Sequence, residues 1–452
     1  MCSTTCPNTG PNTGPNTCPT IARMQAPVHA LTEHGATLLQ QIWRFEHPAD
    51  ATVARYFREH RNLGPRERQT LSDAVYAVLR DRPRMDWWLQ QSASTKPPNP
   101  AHARLLILLA AEALRPAATD AERPLLDQAV ARSQHSEAAA MPPEVAHALP
   151  AWLAERLQAQ NVPGGLAALA EALREPAPLD LRVNVLKARR PAVLQALADA
   201  GIGAAPTTYS PLGIRVAGKP SLKKLPLFTE GWAEVQDEGS QLLTLLLGAK
   251  RNEMVADFCA GAGGKTLALA AAMRNTGRLY AFDTSAHRLE ALQPRLQRAG
   301  VEQVHPMALA HERDERLNRL AGKLDRVLVD APCSGLGTLR RSPDLKWRQN
   351  AATLAPMPAL QTDILASAAR LLKPGGRLVY ATCSLLEEEN EAVADAFTTA
   401  HSRDFVPLDA AECLEKAGVE QAQTLSRAGK LRLWPHIHGT DGFFAAIWQR
   451  KP

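Results

Sequence analysis

The sequence lacks a long apolar stretch. No run of eighteen or more apolar residues occurs in its 452 residues, which argues against a transmembrane helix. The N-terminus also lacks the basic-then-apolar order of a secretory signal peptide. We therefore expect no membrane partner.

Cysteine is scarce and unevenly placed. Seven cysteines, an odd number in a chain of this length, do not fit a disulfide framework. A reducing compartment suits such a chain, so we expect a cytoplasmic protein with free thiols. Cys2, Cys6 and Cys18 have no histidine nearby, and His436 and His438 have no acid or thiol beside them. We therefore predict no metal site.

The balance of charge is only mildly positive. The formal net charge is +6, and arginine supplies most of the basic side chains, which suits phosphate binding. An ordinary solvated surface can carry the same charge. Composition alone therefore favours a nucleic-acid partner only weakly.

Four regions of the chain differ in sequence pattern. Residues 1–27 carry Pro-Asn-Thr-Gly repeats without apolar residues to form a core, which predicts a disordered low-complexity tail. Residues 28–172 show helical periodicity, and residues 173–236 show short strands and a helix typical of a small α+β module. Residues 237–452 alternate strand and helix, so we predict an α/β fold with a Rossmann-like, doubly wound parallel sheet.

Two apolar runs in the last region each lead into a cysteine motif. Residues 324–329 precede Asp330-Ala-Pro-Cys333-Ser, and residues 376–380 precede Ala-Thr-Cys383-Ser. The carboxyl ends of parallel strands line the ligand crevice of such a sheet. We therefore expect both thiols and the carboxylate to converge on one site.

A glycine-rich loop follows the first predicted strand of this region and opens a helix, where free amides can bind a ligand. A phosphate loop would need glycine at Cys259, and a dinucleotide fingerprint would need a third glycine where Lys265 and Thr266 stand. S-adenosylmethionine (SAM) needs such a turn and an acid ending the next strand, here Asp283. That acid also suits a dinucleotide, so the thiol pair decides for SAM. The predicted cofactor contacts are Cys259, Ala260, Gly261, Ala262, Gly263, Gly264, Lys265, Asp283 and Asp330.

Paired thiols suit methylation of an aromatic carbon. C5 of cytosine is a poor nucleophile, but a thiolate that adds to C6 makes C5 able to attack the SAM methyl group. A base must then remove the C5 proton. Asp330 is placed to hold the N3 and amino edge of the base, and Lys265 lies close enough in the loop to assist. A lone cysteine is more often a packed small residue, whereas two in Cys-Ser motifs after separate strands indicate catalysis.

These motifs resemble those of the Sun/Fmu-type (RsmB/NOP) family of SAM-dependent RNA cytosine-C5 methyltransferases, in its bacterial rRNA branch. The resemblance covers roughly residues 175–450, with motifs at 257–266, 330–335, 340–347, 373–376, 382–384 and 441–444. It implies that Cys383 is the nucleophile and that Cys333 assists product release. It also implies an RRM-like module at 173–236 and, from a weaker match, a NusB-like RNA-binding domain at 28–172.

The chain departs from that family in two places. Gly261-Ala262 replaces the Ala-Pro common in the cofactor loop, and both residues are small enough to keep the turn. After the third strand, Ala308-Leu309-Ala310 replaces the Gly-Asp pair that contacts adenine in the family. The adenine contact must therefore come from elsewhere, for example from a backbone amide.

The expected partner is RNA, with small-subunit ribosomal RNA implied by the resemblance. Basic residues that follow the first cysteine motif form either a solvated loop or an RNA contact, and we favour RNA. They are Arg340, Arg341, Lys346 and Arg348. Transfer RNA, a DNA cytosine-C5 methyltransferase and a non-catalytic RNA- and SAM-binding assembly factor remain alternatives. We expect a monomer.

Overall fold

The computed structural model describes residues 27–92, 99–134 and 141–452. The predicted disordered tail, with Cys2, Cys6 and Cys18, lies outside the described residues except for residue 27. Within the three ranges, no helix is both long and apolar enough to cross a bilayer.

The first region is helical, as its periodicity predicts. Leu31, Leu38 and Leu39 of the first helix are fully buried, because they recur on one helical face. The third helix kinks at Asp81, which has non-helical φ and ψ angles and lies two residues before Pro83. The helices are α1 (Val28–Ile42), α2 (Ala49–Glu59), α3 (Pro65–Ser92), α4 (Asn99–Ala110), a 3-10 helix (Glu112–Ala117), α5 (Arg123–Gln134), α6 (Pro143–Ala146), α7 (Ala151–Ala159) and α8 (Leu166–Arg174).

The apolar faces of α7 and α8 pack against the α/β region, and Arg174 of α8 also donates to the Ala146 carbonyl of α6. Leu153 and Leu169 share a buried cluster with Leu336, Leu385 and Trp434. The helical core formed by α1 to α6 is a separate cluster. Residue 172, the predicted boundary, lies inside α8, whereas the change in packing comes before α7.

The small α+β module is a four-stranded antiparallel sheet in the order β2-β3-β1-β4. Leu181 and Ile214 of the sheet bury against Val193 and Leu197 of its long helix. The short strand β2 has little sequence pattern, and the sequence did not predict it. Its elements are β1 (Leu179–Val183), α9 (Arg190–Asp199), β2 (Ala204–Pro206), β3 (Gly213–Val216), α10 (Pro226–Thr229) and β4 (Ala233–Val235).

The last region forms the predicted α/β domain. Its first half contains α11 (Glu238–Leu247), β5 (Met254–Asp257), α12 (Gly264–Ala272), β6 (Arg278–Asp283), α13 (Ala286–Ala299), β7 (Val304–Ala308), a 3-10 helix (Glu315–Leu320), β8 (Leu324–Asp330), a 3-10 helix (Leu336–Thr338), α14 (Leu345–Arg348) and α15 (Ala351–Leu354). Its second half contains α16 (Met357–Ala369), β9 (Leu372–Thr382), a 3-10 helix (Glu387–Glu389), α17 (Glu391–Ala400), β10 (Phe405–Leu408), α18 (Ala410–Lys416), a 3-10 helix (Ala422–Leu425), β11 (Ser426–Arg427), β12 (Lys430–Leu433), α19 (Pro435–His438) and β13 (Phe443–Arg450).

The large sheet has the order β11-β12-β13-β9-β8-β5-β6-β7, with β10 paired to β13. Strands β5 to β9 are parallel, and β13 runs antiparallel to both of its neighbours, β9 and β12. The chain leaves β5 towards β6 and β7, then returns to β8 on the other side of β5. This switch opens a crevice at the carboxyl ends of the strands.

Candidate active site

A cavity of about 970 Å³ lies at the carboxyl ends of β5, β6, β8 and β9. Its wall contains the glycine-rich loop, Asp283, Asp330, Cys333 and Cys383. A cavity of this size has room for a nucleoside cofactor together with a nucleobase. The structure therefore brings the thiols and the cofactor loop into one space.

The glycine-rich loop turns tightly above β5. Gly263 has a φ of +83°, and a Cβ atom there would lie 2.1 Å from Leu292 Cδ1, so the position requires glycine. The Gly261 amide donates to Asp283 Oδ2 at 2.8 Å, and the Ser285 amide donates to Asp283 Oδ1 at 2.8 Å. Asp283 is thus fixed beside the loop, where the cofactor ribose is expected.

Below the loop, Asp257 is fully buried and accepts a hydrogen bond from Thr266 Oγ1 at 2.7 Å. Burial, which the Thr266 hydrogen bond partly offsets, raises the pKa of Asp257 to about 7. The contact joins the end of β5 to the first turn of α12, so it holds the loop between them.

The backbone after β7 is already engaged. The Leu309 amide donates to the Asp283 carbonyl at 2.9 Å, and the Ala310 amide donates to Asp314 Oδ2 at 3.0 Å. Because both amides are already hydrogen-bonded, they do not supply the adenine contact that would replace the family's Gly-Asp pair. The polar side chains in the neighbouring cavity wall are those of His311 and Glu312.

Lys265 and Asp330 form an ion pair across the cavity, with Nζ and Oδ2 2.6 Å apart. Burial opposes the charged ammonium group, but the Asp330 carboxylate outweighs it and raises the pKa of Lys265. Burial, reinforced by the charge of Asp330, raises the pKa of the Cys259 thiol. The Cys259 thiol therefore also resists ionisation.

The two thiols of the Cys-Ser motifs meet inside the cavity. Cys333 Sγ and Cys383 Sγ lie 3.4 Å apart, because β8 and β9 are neighbouring parallel strands with Asp330 opposite Ala381. The hydrogen bond with Cys383 and burial raise the pKa of the Cys333 thiol. The Cys333 thiol therefore resists ionisation.

A buried ion-pair group forms another wall. Arg341 donates to Asp441 Oδ2 at 2.6 Å and to Asp237 Oδ2 at 2.8 Å. Burial opposes the guanidinium charge, but the two carboxylates outweigh it and raise the pKa of Arg341. Arg341 therefore belongs to the cavity wall, where it joins the start of α11 to the turn before β13.

The other predicted RNA-binding residues take different places. Arg340 donates to the Pro176 carbonyl at 3.1 Å, and Arg348 pairs with Asp344 at 2.8 Å. Lys346 is only 3% exposed, and its Nζ donates to the carbonyls of Arg80 at 2.6 Å and Ala148 at 2.8 Å. Lys346 therefore joins the helical region to the catalytic domain, and its burial argues against a direct phosphate contact.

Sequence reasoning missed Glu389, which lies beneath both cysteine motifs. It ends a run of three glutamates, a pattern typical of a solvated face. Its neighbour Glu387 is exposed, whereas Glu389 is fully buried. Only the contacts in the folded structure distinguish the buried Glu389 from the exposed Glu387.

Comparison with known proteins identifies the family. The model for 16S rRNA methyltransferase RsmB/F matches residues 244–449, and the model for the RsmF/B-like ferredoxin-like domain matches residues 149–223. Ribosomal RNA small subunit methyltransferase B of Sodalis glossinidius is 33% identical over 362 residues, which cover 75% of this chain and 83% of that protein. The Pectobacterium atrosepticum protein of the same name is 32% identical over 413 residues, covering 85% and 91%.

Other relatives match over a shorter stretch. The probable ribosomal RNA small subunit methyltransferase B of Synechocystis sp. is 36% identical over 301 residues, which cover 66% of each chain. The Bacillus subtilis protein of that name is 35% identical over 272 residues, covering 60% of this chain and 59% of its own.

Solved structures agree on the fold. The crystal structure of PH0851 superposes with a TM-score of 0.73 and 25% identity, covering 94% of this chain and 100% of that one. A methyltransferase homolog protein from Pyrococcus horikoshii superposes with a TM-score of 0.58 and 30% identity, covering 69% and 100%. The family match, the fold and the paired thiols agree: the chain belongs to the 16S rRNA methyltransferase RsmB/F family, a Sun/Fmu-type group of RNA methyltransferases.

Proposed function

We propose that the protein transfers a methyl group from SAM to C5 of a cytosine in RNA, with small-subunit ribosomal RNA as the substrate. The observation that carries this proposal is the pair of thiols 3.4 Å apart in a cavity that also holds the glycine-rich loop. A single thiol would suffice for attack alone. A second thiol supports a reaction in which the first must also be released.

The cavity fits the cofactor. The backbone of the glycine-rich loop and the start of α12 offer amides, and Asp283 offers carboxylate oxygens for ribose hydroxyl groups. Cys259 lines the cavity beside the loop amides. When bound there, SAM supplies an electrophilic methyl group.

The chain's own residues then act on the cytosine. Cys383 Sγ, once its proton has passed to solvent, forms a bond to C6, and the electron pair of the C5–C6 double bond moves to C5. C5 then takes the methyl group of SAM as the methyl–sulfur bond breaks, which leaves S-adenosylhomocysteine. The C5 proton then passes to a water molecule, its bonding electron pair re-forms the C5–C6 double bond, and the electron pair of the breaking Cys383 Sγ–C6 bond returns to sulfur. Cys333, or a water it positions, assists this release. Asp330 holds the N3 and amino edge of the base, and Lys265 fixes Asp330.

A second groove gives the RNA a route to the cavity. It has a volume of about 340 Å³ and is lined by Gln69, Ser72, Asp73, Tyr76, Arg80, Pro176, Ala177, Lys219, Arg340 and Arg341. Arg341 also lines the catalytic cavity, so the two spaces adjoin. The guanidinium groups of Arg80 and Arg340 hydrogen-bond backbone carbonyls at 3.1 Å. Their positive charges suit an RNA phosphate.

Charge reversal in this groove is expected to weaken RNA binding without affecting SAM. In Lys219→Glu and Arg340→Glu, each lost phosphate contact should lower the slope of log affinity against log salt by about 1. Fluorescence anisotropy with an RNA fragment over a salt series measures the slope. Lys416→Glu, an exposed change on α18, is the matched control. Equal slopes in all four proteins would place the RNA elsewhere.

The activity is tested with the full chain, methyl-labelled SAM and small-subunit RNA from cells that lack the enzyme, followed by mapping of 5-methylcytosine. One new site in that RNA is the expected result, and competition with DNA of the same sequence should not reduce it. Label found in transfer RNA would identify transfer RNA as the substrate instead. SAM binding without transfer to free RNA or assembled subunits would favour the assembly-factor alternative.

A further inference from the structure

Glu389 is a charged residue with no direct place in the cavity. It ends the 3-10 helix Glu387–Glu389, between β9 and α17, and none of its side chain is exposed. Burying a carboxyl group is costly unless hydrogen bonds compensate it. Its contacts therefore indicate what it does.

Both carboxyl oxygens of Glu389 accept two hydrogen bonds. Oε1 accepts from the Ser334 amide at 2.8 Å and from Gln361 Nε2 at 3.1 Å. Oε2 accepts from Ser334 Oγ at 2.6 Å and from Ser384 Oγ. Ser334 and Ser384 directly follow the two cysteines of the cavity. One carboxyl group thus holds both Cys-Ser motifs.

The same loops also make contacts that do not involve the Glu389 side chain. The Gly337 amide donates to the Cys383 carbonyl at 2.8 Å. A Cβ atom on Gly337 would lie 2.0 Å from the Gly442 carbonyl oxygen, so only glycine allows this approach. Asn390 Nδ2 donates to the Ser384 carbonyl at 3.0 Å. The Glu389 bonds complete a frame around the two thiols.

We propose that Glu389 is a positioning residue that ties the two cysteine loops together at the separation the reaction needs. This inference rests on the two-thiol function proposed above. A position set by four hydrogen bonds to one group is sensitive to the length of that group. The negative charge of Glu389 acts on Cys333 independently of the length of the Glu389 side chain, because an electrostatic interaction needs no exact contact.

The electrostatics agree with this role. After the hydrogen bond with Cys383 and burial, the negative charge of Glu389 also raises the pKa of Cys333. The other titratable groups that face the thiols are Lys265 with its partner Asp330, and Tyr380 from β9. Glu389 therefore helps to keep a proton on Cys333 while Cys383 supplies the nucleophile.

Two substitutions separate geometry from charge. Glu389→Gln keeps the length of the side chain and removes its charge, and it presents an amide to serine hydroxyl donors. We expect kcat for RNA methylation to fall about 10²-fold, the scale of a misplacement near 1 Å, with the Kd for SAM unchanged. Alkylation of Cys333 by iodoacetamide, followed by peptide mass spectrometry across pH, should shift to lower pH.

Glu389→Asp keeps the charge but shortens the reach. We expect a similar fall in kcat, with the Cys333 alkylation profile remaining close to that of the wild type. Glu387→Gln, the same chemical change at an exposed position two residues away, should leave both measurements unchanged. Wild-type kcat with an unshifted Cys333 profile in Glu389→Gln would overturn the inference.

Ser384→Ala keeps the assignment testable if the Glu389 variants do not fold. It leaves Glu389 in place and removes one of its four donors, and a fall in kcat of about 10-fold is expected. Wild-type kcat in a folded Ser384→Ala protein would then overturn the inference. Absence of 5-methylcytosine with the wild-type protein would instead contradict the proposed function. The alkylation profile needs no RNA, so it still tests the effect of Glu389 on Cys333 in that case.

Discussion

Replacing Cys383 with alanine is expected to lower methyl transfer to RNA by roughly 10⁴-fold or more, the scale seen when the nucleophile of a covalent catalyst is removed. Without Sγ, C6 of the cytosine gains no bond and C5 stays a poor nucleophile. The glycine-rich loop and Asp283 do not depend on Cys383 for their contacts, so the Kd for SAM should stay within about twofold. Single-turnover transfer and calorimetric titration with SAM measure the two effects.

Cys413→Ala supplies the matched control for that substitution. Cys413 is a free cysteine on α18, packed among the apolar side chains of that helix and outside the cavity wall. The same loss of a thiol there should leave transfer close to the wild-type rate. Equal transfer by Cys383→Ala and the wild type would exclude attack by Cys383 and with it the covalent scheme.

The sequence predicts the position of the thiols because strand ends are a property of the fold. Cys333 and Cys383 follow apolar runs that could only be buried strands, and parallel strands place their carboxyl ends at one edge. The fold class and the order of helices and strands in the α/β region are confirmed by the structure for the same reason. Local pattern and strand direction suffice for these features.

Features that depend on packing between distant segments were beyond prediction. Lys346 and Glu389 are charged residues in charged stretches of the sequence. Nothing local shows that Lys346 donates to the carbonyls of Arg80 and Ala148, or that Glu389 accepts a hydrogen bond from the Ser334 amide. The partners of Lys346 lie 266 and 198 residues away.

Two further differences have the same origin. Helices α7 and α8 have an ordinary apolar face, and the sequence does not say which core that face joins. The sequence leaves the amides of Leu309 and Ala310 available to a cofactor. In the structure, the Asp283 carbonyl and the Asp314 carboxylate accept their hydrogen bonds. A pattern of residue types predicts which face of a helix or strand is buried. The residues that this face packs against depend on the whole fold.

Replacing Cys333 with alanine is expected to give the opposite failure from the Cys383 variant. Attack and methyl transfer need only Cys383, so a first turnover should still place a methyl group on C5. Release is then slow, because the group 3.4 Å from Cys383 Sγ that assists it is gone. The RNA should remain bound through the Cys383 Sγ–C6 bond, and a denaturing gel with labelled RNA should show a protein–RNA adduct in most of the enzyme.

The double variant Cys333→Ala, Cys383→Ala decides whether that adduct has the predicted bond. It removes the proposed attacking sulfur while keeping the first substitution, so the denaturant-stable band should disappear. Label in the methyl group should appear in the band formed by Cys333→Ala, since methyl transfer precedes release in the proposed order. A Cys333→Ala enzyme that turns over repeatedly with no adduct would show that release needs only one thiol. Cys333 would then be a neighbour of the nucleophile without a part in the reaction.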